Sequence, residues 1–85
     1  MPEQVSEVVM VINNLNEILE DSSVPRNVRL QIQNIVNTLK ESNGEFPIKV
    51  NKALNNLDEL AGDINLQSYT RTQIWNIMSV LEKLV

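Results

Sequence analysis

The chain has no cysteine and no histidine. Without cysteine, neither a disulfide nor a thiolate metal site can form. Without histidine as well, the commonest general base and the best nucleophile are both missing, so serine and threonine have no imidazole to activate them. Gly44 and Gly62 are the only glycines, which leaves no glycine-rich loop to cradle a phosphate. No apolar run approaches the ~20 residues that cross a bilayer. The opening segment Met-Pro-Glu-Gln-Val-Ser-Glu carries acids but no lysine or arginine, unlike a signal peptide. The expected setting is therefore cytoplasmic, with no membrane partner. Positive charge is also scarce. Seven Lys and Arg stand against eleven Asp and Glu, for a net charge of −4. Such a balance repels phosphate backbones, and no direct contact with nucleic acid is expected.

What the chain does have is a repeat. Shifted by 42 residues, positions 8–40 fall on 50–82 without a gap, and 12 of the 33 pairs are identical. They include Asn13/Asn55, Leu15/Leu57, Glu17/Glu59, Asp21/Asp63, Arg29/Arg71, Ile32/Ile74 and Leu39/Leu81. A period of this size marks a supersecondary unit stacked on its copy. Residues 1–85 are expected to form one helical domain, with repeat one at about 3–43 and repeat two at about 46–85. The hydrophobic content of 42% argues against disorder.

The spacing predicts an all-α fold of four antiparallel helices, two tandem helix pairs forming a compact four-helix bundle. Val8, Val11, Ile12, Leu15, Ile18 and Leu19 recur at i, i+3, i+4, i+7 on a helix starting near Glu3. Asp21 to Pro25 interrupt it, and Pro25 suits the first turn of the next helix. Ile32, Ile35, Val36 and Leu39 resume the spacing up to a stop at Asn43-Gly44. Pro47 opens a third helix with Val50, Ala53, Leu54, Leu57, Leu60 and Ala61, which Gly62-Asp63 ends. A connector through Leu66 leads to a fourth with Ile74, Ile77, Met78 and Leu81. Eleven aligned pairs are apolar in both copies, so duplication preserved the stripe. Asparagine makes up 12 of the 85 residues, and as a mediocre helix former it leaves these helices dependent on packing.

The polar residues concentrate at the turns. Glu20 and Asp21 end helix one, and Arg26 and Arg29 begin helix two, each pair at the wrong end of its own helix dipole. Read across the turn, the acids face the next helix's start and the guanidiniums the previous helix's end. An Asp in the turn followed by Val-Arg, here Asp21, Val28 and Arg29, resembles the HEAT repeat; the second copy has Asp63 and Arg71 but Thr70 in place of the valine. The resemblance implies a structural turn ladder of Asp21, Arg29, Asp63 and Arg71, with the aspartates capping turns and an arginine bridging to a neighbouring Asp. Nearly the whole chain also resembles an uncharacterised family of small archaeal proteins, family 0147, through the segments 20–29 and Arg71-Thr72-Gln73-Ile74-Trp75-Asn76-Ile77. That likeness implies a four-helix fold and carries over no activity.

No residue set calls for catalysis, a cofactor or a metal. The acids Glu17, Glu20 and Asp21, and Asp58, Glu59 and Asp63, read as solvated helix faces and turns rather than a divalent-cation site. Trp75, which replaces Gln33 of the first copy, either widens the core seam or serves as an interface anchor. Tyr69 and Phe46 lie at helix starts and are expected to fasten loops. The paired amides Asn13, Asn14, Gln31 and Asn34, with Asn55, Asn56, Gln73 and Asn76, either face water or bond between helices. The leading expectation is a non-enzymatic protein-interaction module, with a homodimer favoured because a two-repeat stack leaves its ends uncovered. The alternatives are an accessory protein subunit of a nucleic-acid or translation complex, and a divalent-metal-dependent enzyme.

Overall fold

The computed structural model describes residues 3–41 and 44–84, with side chains from 6 onward. Four helices follow in order: α1 Glu3–Glu20, α2 Arg26–Lys40, α3 Phe46–Ala61 and α4 Ser68–Glu82. Their boundaries follow local chemistry. Pro25 takes the N-cap of α2 in an extended conformation, one position ahead of the expected first turn. Pro47 falls in the first turn of α3, where a missing N–H is harmless. The α2 helix ends at Lys40, with the Glu41 N–H returning to the Asn37 and Thr38 carbonyls. Asn43 lies outside the described residues, and Gly44 has φ +85°, a conformation that favours glycine.

Each helix turns its apolar stripe inward. Val11, Leu15 and Ile18 of α1 meet Val28, Ile32, Ile35 and Val36 of α2, Val50, Ala53 and Leu57 of α3, and Ile74, Ile77 and Leu81 of α4 in one buried cluster. Val8, Ile12, Leu19, Leu54 and Met78 line its edge. Val24 and Leu66, equivalent residues in the two turns, plug the same end of the core. Phe46 packs against the core, whereas Tyr69 is exposed.

Neighbour relations depart from a HEAT-type stack. In a helical-repeat array the pairs stack on one another as a superhelix, α1 on α3 and α2 on α4. Here α1 packs on α2 and α4, and α3 packs on α2 and α4, while the diagonals do not approach. The extents of 36 × 20 × 20 Å are two helix diameters in both transverse directions. The result is a closed four-helix ring. Duplication by 42 residues exchanges α1 with α3 and α2 with α4, so the α2–α3 and α1–α4 seams are equivalents. Closure covers what an open two-repeat stack would expose, so no uncovered end calls for a dimer.

One buried position breaks the equivalence. Thr70 is buried in the second copy where Val28 is buried in the first. Thr70→Val removes a desolvated hydroxyl at nearly constant volume. We expect a gain of ~0.5–1 kcal/mol, read as a higher midpoint in urea with an unchanged slope.

Candidate functional site: the paired turns

Because neighbouring helices are antiparallel, the α1–α2 and α3–α4 turns lie at one end of the bundle. They share a hydrogen-bond plan. The Asp21 carboxylate accepts from the Ser23 N–H at 2.9 Å and the Ser23 hydroxyl at 2.7 Å. The Asp63 carboxylate accepts from the Asn65 N–H at 2.8 Å. Each aspartate also accepts at its carbonyl from the residue three on, Val24 N–H at 3.2 Å and Leu66 N–H at 3.1 Å. Both are Asx-type turns, in which a short acidic side chain holds its own backbone. The plan explains the buried Val24 and Leu66: the last residue of each turn is directed into the core.

The Ser23 hydroxyl, and then its N–H, hold the Asp21 carboxyl below its ordinary value of 3.8, against a smaller opposing effect of desolvation. A carboxylate lowered in the folded state stabilises the fold above the ordinary value. That contribution is lost as pH falls through the lowered one. Ser23→Ala removes the stronger of the two bonds. We expect carboxyl-carbon NMR to show Asp21 titrating closer to 3.8 in that variant.

The arginines differ between copies. Arg71 donates from Nε to the Ala61 carbonyl at 2.8 Å, and from one terminal nitrogen to the Asp63 carbonyl at 2.8 Å and the Leu66 carbonyl at 3.2 Å. The first acceptor belongs to the last turn of α3, whose carbonyls have no partner within the helix. Arg71 thus sits in the first turns of α4 yet caps α3, placing its charge at the negative end of that helix's dipole. All three acceptors are backbone carbonyls; Arg71 does not bridge to a neighbouring aspartate. Arg29, its identical counterpart, makes no such cap, and its Nε is buried with no acceptor.

Trp75 is 53% exposed on α4. The core reading of this residue does not hold, because the helix turns Ile74 and Ile77 inward and carries Trp75 to the outer side. The amides mostly face water. However, Asn14 of α1 and Gln73 and Asn76 of α4 line one groove of about 250 Å³ with Met10, Glu17, Ile77 and Val80. The burial of Thr70 and the groove between α1 and α4 were not anticipated from sequence. For Thr70 the signal was its alignment on Val28, and for the groove it was the loss of charge and polarity between copies, Lys52 against Met10 and Thr38 against Val80.

Among the described residues, no three acidic side chains converge as a metal site. No described helix is long and apolar enough to cross a membrane.

No curated protein matches the chain. A solved crystal structure, that of the unknown-function protein MMP1188, is similar. It shares 37% identity over 92% of this chain and 89% of that one, with a TM-score of 0.87. The two therefore have the same four-helix fold. The model of the uncharacterised protein family UPF0147 matches residues 1–84, and the chain belongs to that family.

Proposed function

We propose that this protein is a non-enzymatic interaction module of the cytoplasm, self-associating or binding another protein through the outer surface of α4. The observation that carries this reading is Trp75. A residue that the duplication did not supply stands 53% exposed on a helix whose core face is already filled. Tyr69, at the start of the same helix, is 69% exposed, and Ile64 just before it is 92% exposed. Aromatic side chains on an outer face are what a partner buries, since each brings a large apolar area at little entropic cost.

The paired turns support the reading in a second way. Their hydrogen-bonding capacity is largely spent on the chain's own backbone, which suits a rigid scaffold better than a reactive centre. The turn ladder of Asp21, Asp63 and Arg71 would hold the helix ends so that the outer faces keep a fixed shape.

Sedimentation equilibrium tests self-association directly. We expect concentration-dependent dimers at micromolar protein, and monomers for Trp75→Ser with unchanged helical circular dichroism. Capture from native lysate, with Trp75→Ser as the control bait, tests a different partner. A wild-type monomer that also recovers nothing dependent on Trp75 overturns the proposal.

A further inference from the structure

We propose that the hollow between α1 and α2 binds an aliphatic carboxylate through Arg29. The hollow has a volume of about 360 Å³ and is lined by Leu19, Arg26, Arg29, Leu30 and Gln33. Its chemistry comes from comparing the two copies within one molecule. Arg71 spends its guanidinium on the carbonyls of Ala61, Asp63 and Leu66. The equivalent carbonyls in the first copy belong to Leu19, Asp21 and Val24. Arg29 does not cap them, and its Nε is buried without a partner. The Asp21 carboxylate is no substitute acceptor, being turned to Ser23. Arg29 is half-buried and lines the hollow with a guanidinium that does not cap the carbonyls of its own turn, leaving the fork to an acceptor from outside the chain.

The surroundings select the ligand. Arg26 brings a second cation to the same hollow, where the second copy has Ser68. Leu19 and the 57%-exposed Leu30 supply apolar walls, where the second copy has Ala61 and Thr72. Two guanidiniums beside two leucines fit a carboxylate on an aliphatic body. A phosphate or polyphosphate would leave the leucines uncovered, and its higher negative charge would meet more repulsion than a carboxylate from a chain of net charge −4. Gln33 offers an amide at the rim, although its Nε2 is already bonded to Asn37 Oδ1 at 3.1 Å. The second copy places Trp75 at that position. The site is thus a feature of the first repeat alone, and it lies apart from the surface proposed for protein interaction.

The test follows the Nε–H resonances of Arg29 and Arg71 by proton–nitrogen NMR while hexanoate is added to the full chain. We expect Arg29 to shift saturably and Arg71 to stay in place. Hexanamide, with the same tail but no charge, leaves both unmoved. Arg29→Lys keeps the charge but loses the fork. It is expected to weaken hexanoate roughly tenfold, followed through the backbone amides of α2. N-acetyl-leucine stands in for a chain terminus; tighter binding than hexanoate assigns the site to a peptide carboxylate, and weaker binding assigns it to a free acid. The proposal fails if Arg29 shows no saturable shift, if Arg71 shifts equally, or if inorganic phosphate binds as tightly as hexanoate.

Discussion

Ile74→Ala is expected to cost ~3–4 kcal/mol, among the largest single effects in this molecule. Ile74 is completely buried on α4 at the meeting point of the helix faces. Truncation removes three carbon atoms from a core that 85 residues can barely fill and leaves a cavity that a closed ring cannot collapse from one side. The total stability of a chain this long is about 4–13 kcal/mol. The variant should therefore melt roughly 15–25 °C lower. Ile32, the identical residue of the first copy, is equally buried, and Ile32→Ala should cost a similar amount. Trp75→Ala, one position away, should cost less than ~1 kcal/mol, because it leaves the core face untouched. Urea denaturation of the three variants checks the set. A Trp75 cost comparable to that of Ile74 would return the indole to the core.

Arg71→Ala is expected to cost ~2–3 kcal/mol, against less than ~1 kcal/mol for Arg29→Ala. The asymmetry is the informative part, since the two residues are identical and equivalent under the duplication. Arg71 closes three carbonyls at the junction of α3 and α4. Its loss leaves the Ala61 carbonyl, an unpaired acceptor at a helix end, to whatever water can reach it. Arg29 closes no such set, and removing it also removes an unsatisfied buried N–H. Arg71→Lys separates charge from geometry. An ammonium can serve one or two carbonyls but not the fork, so about half the loss should remain. Amide hydrogen exchange localises the effect: in Arg71→Ala, protection should fall first at the end of α3 and in the 62–67 turn. Equal costs for the two arginines would show that the copies are capped alike in solution.

The inward residues were legible because helical periodicity needs only spacing. Ile32, Ile35, Leu57, Ile74 and Leu81 are all in the core; Val24 and Leu66, read only as parts of the turns, join it because each turn directs its last residue inward. Asp21 and Asp63 were singled out through the resemblance to a HEAT turn; that each carboxylate closes an Asx-type turn on its own backbone is a feature of the structure. Trp75 was ambiguous because a residue beside the stripe falls either side of the buried arc, depending on where the neighbouring helix sits.

By itself, the sequence determined four helices, their duplication, their inward faces and the paired turns. All of these follow from local spacing and short-range hydrogen bonds. Only the tertiary structure decided that α1 closes on α4 rather than stacking on α3. An amphipathic stripe points a helix at the core but does not name its two neighbours, and a 42-residue period fits a stack and a ring equally well. Tertiary structure also decided the different fates of Arg29 and Arg71. A guanidinium at the end of a long side chain takes whichever acceptors the surrounding fold brings within reach. Identical residues at equivalent positions therefore became a helix cap in one copy and an unpaired donor in the other.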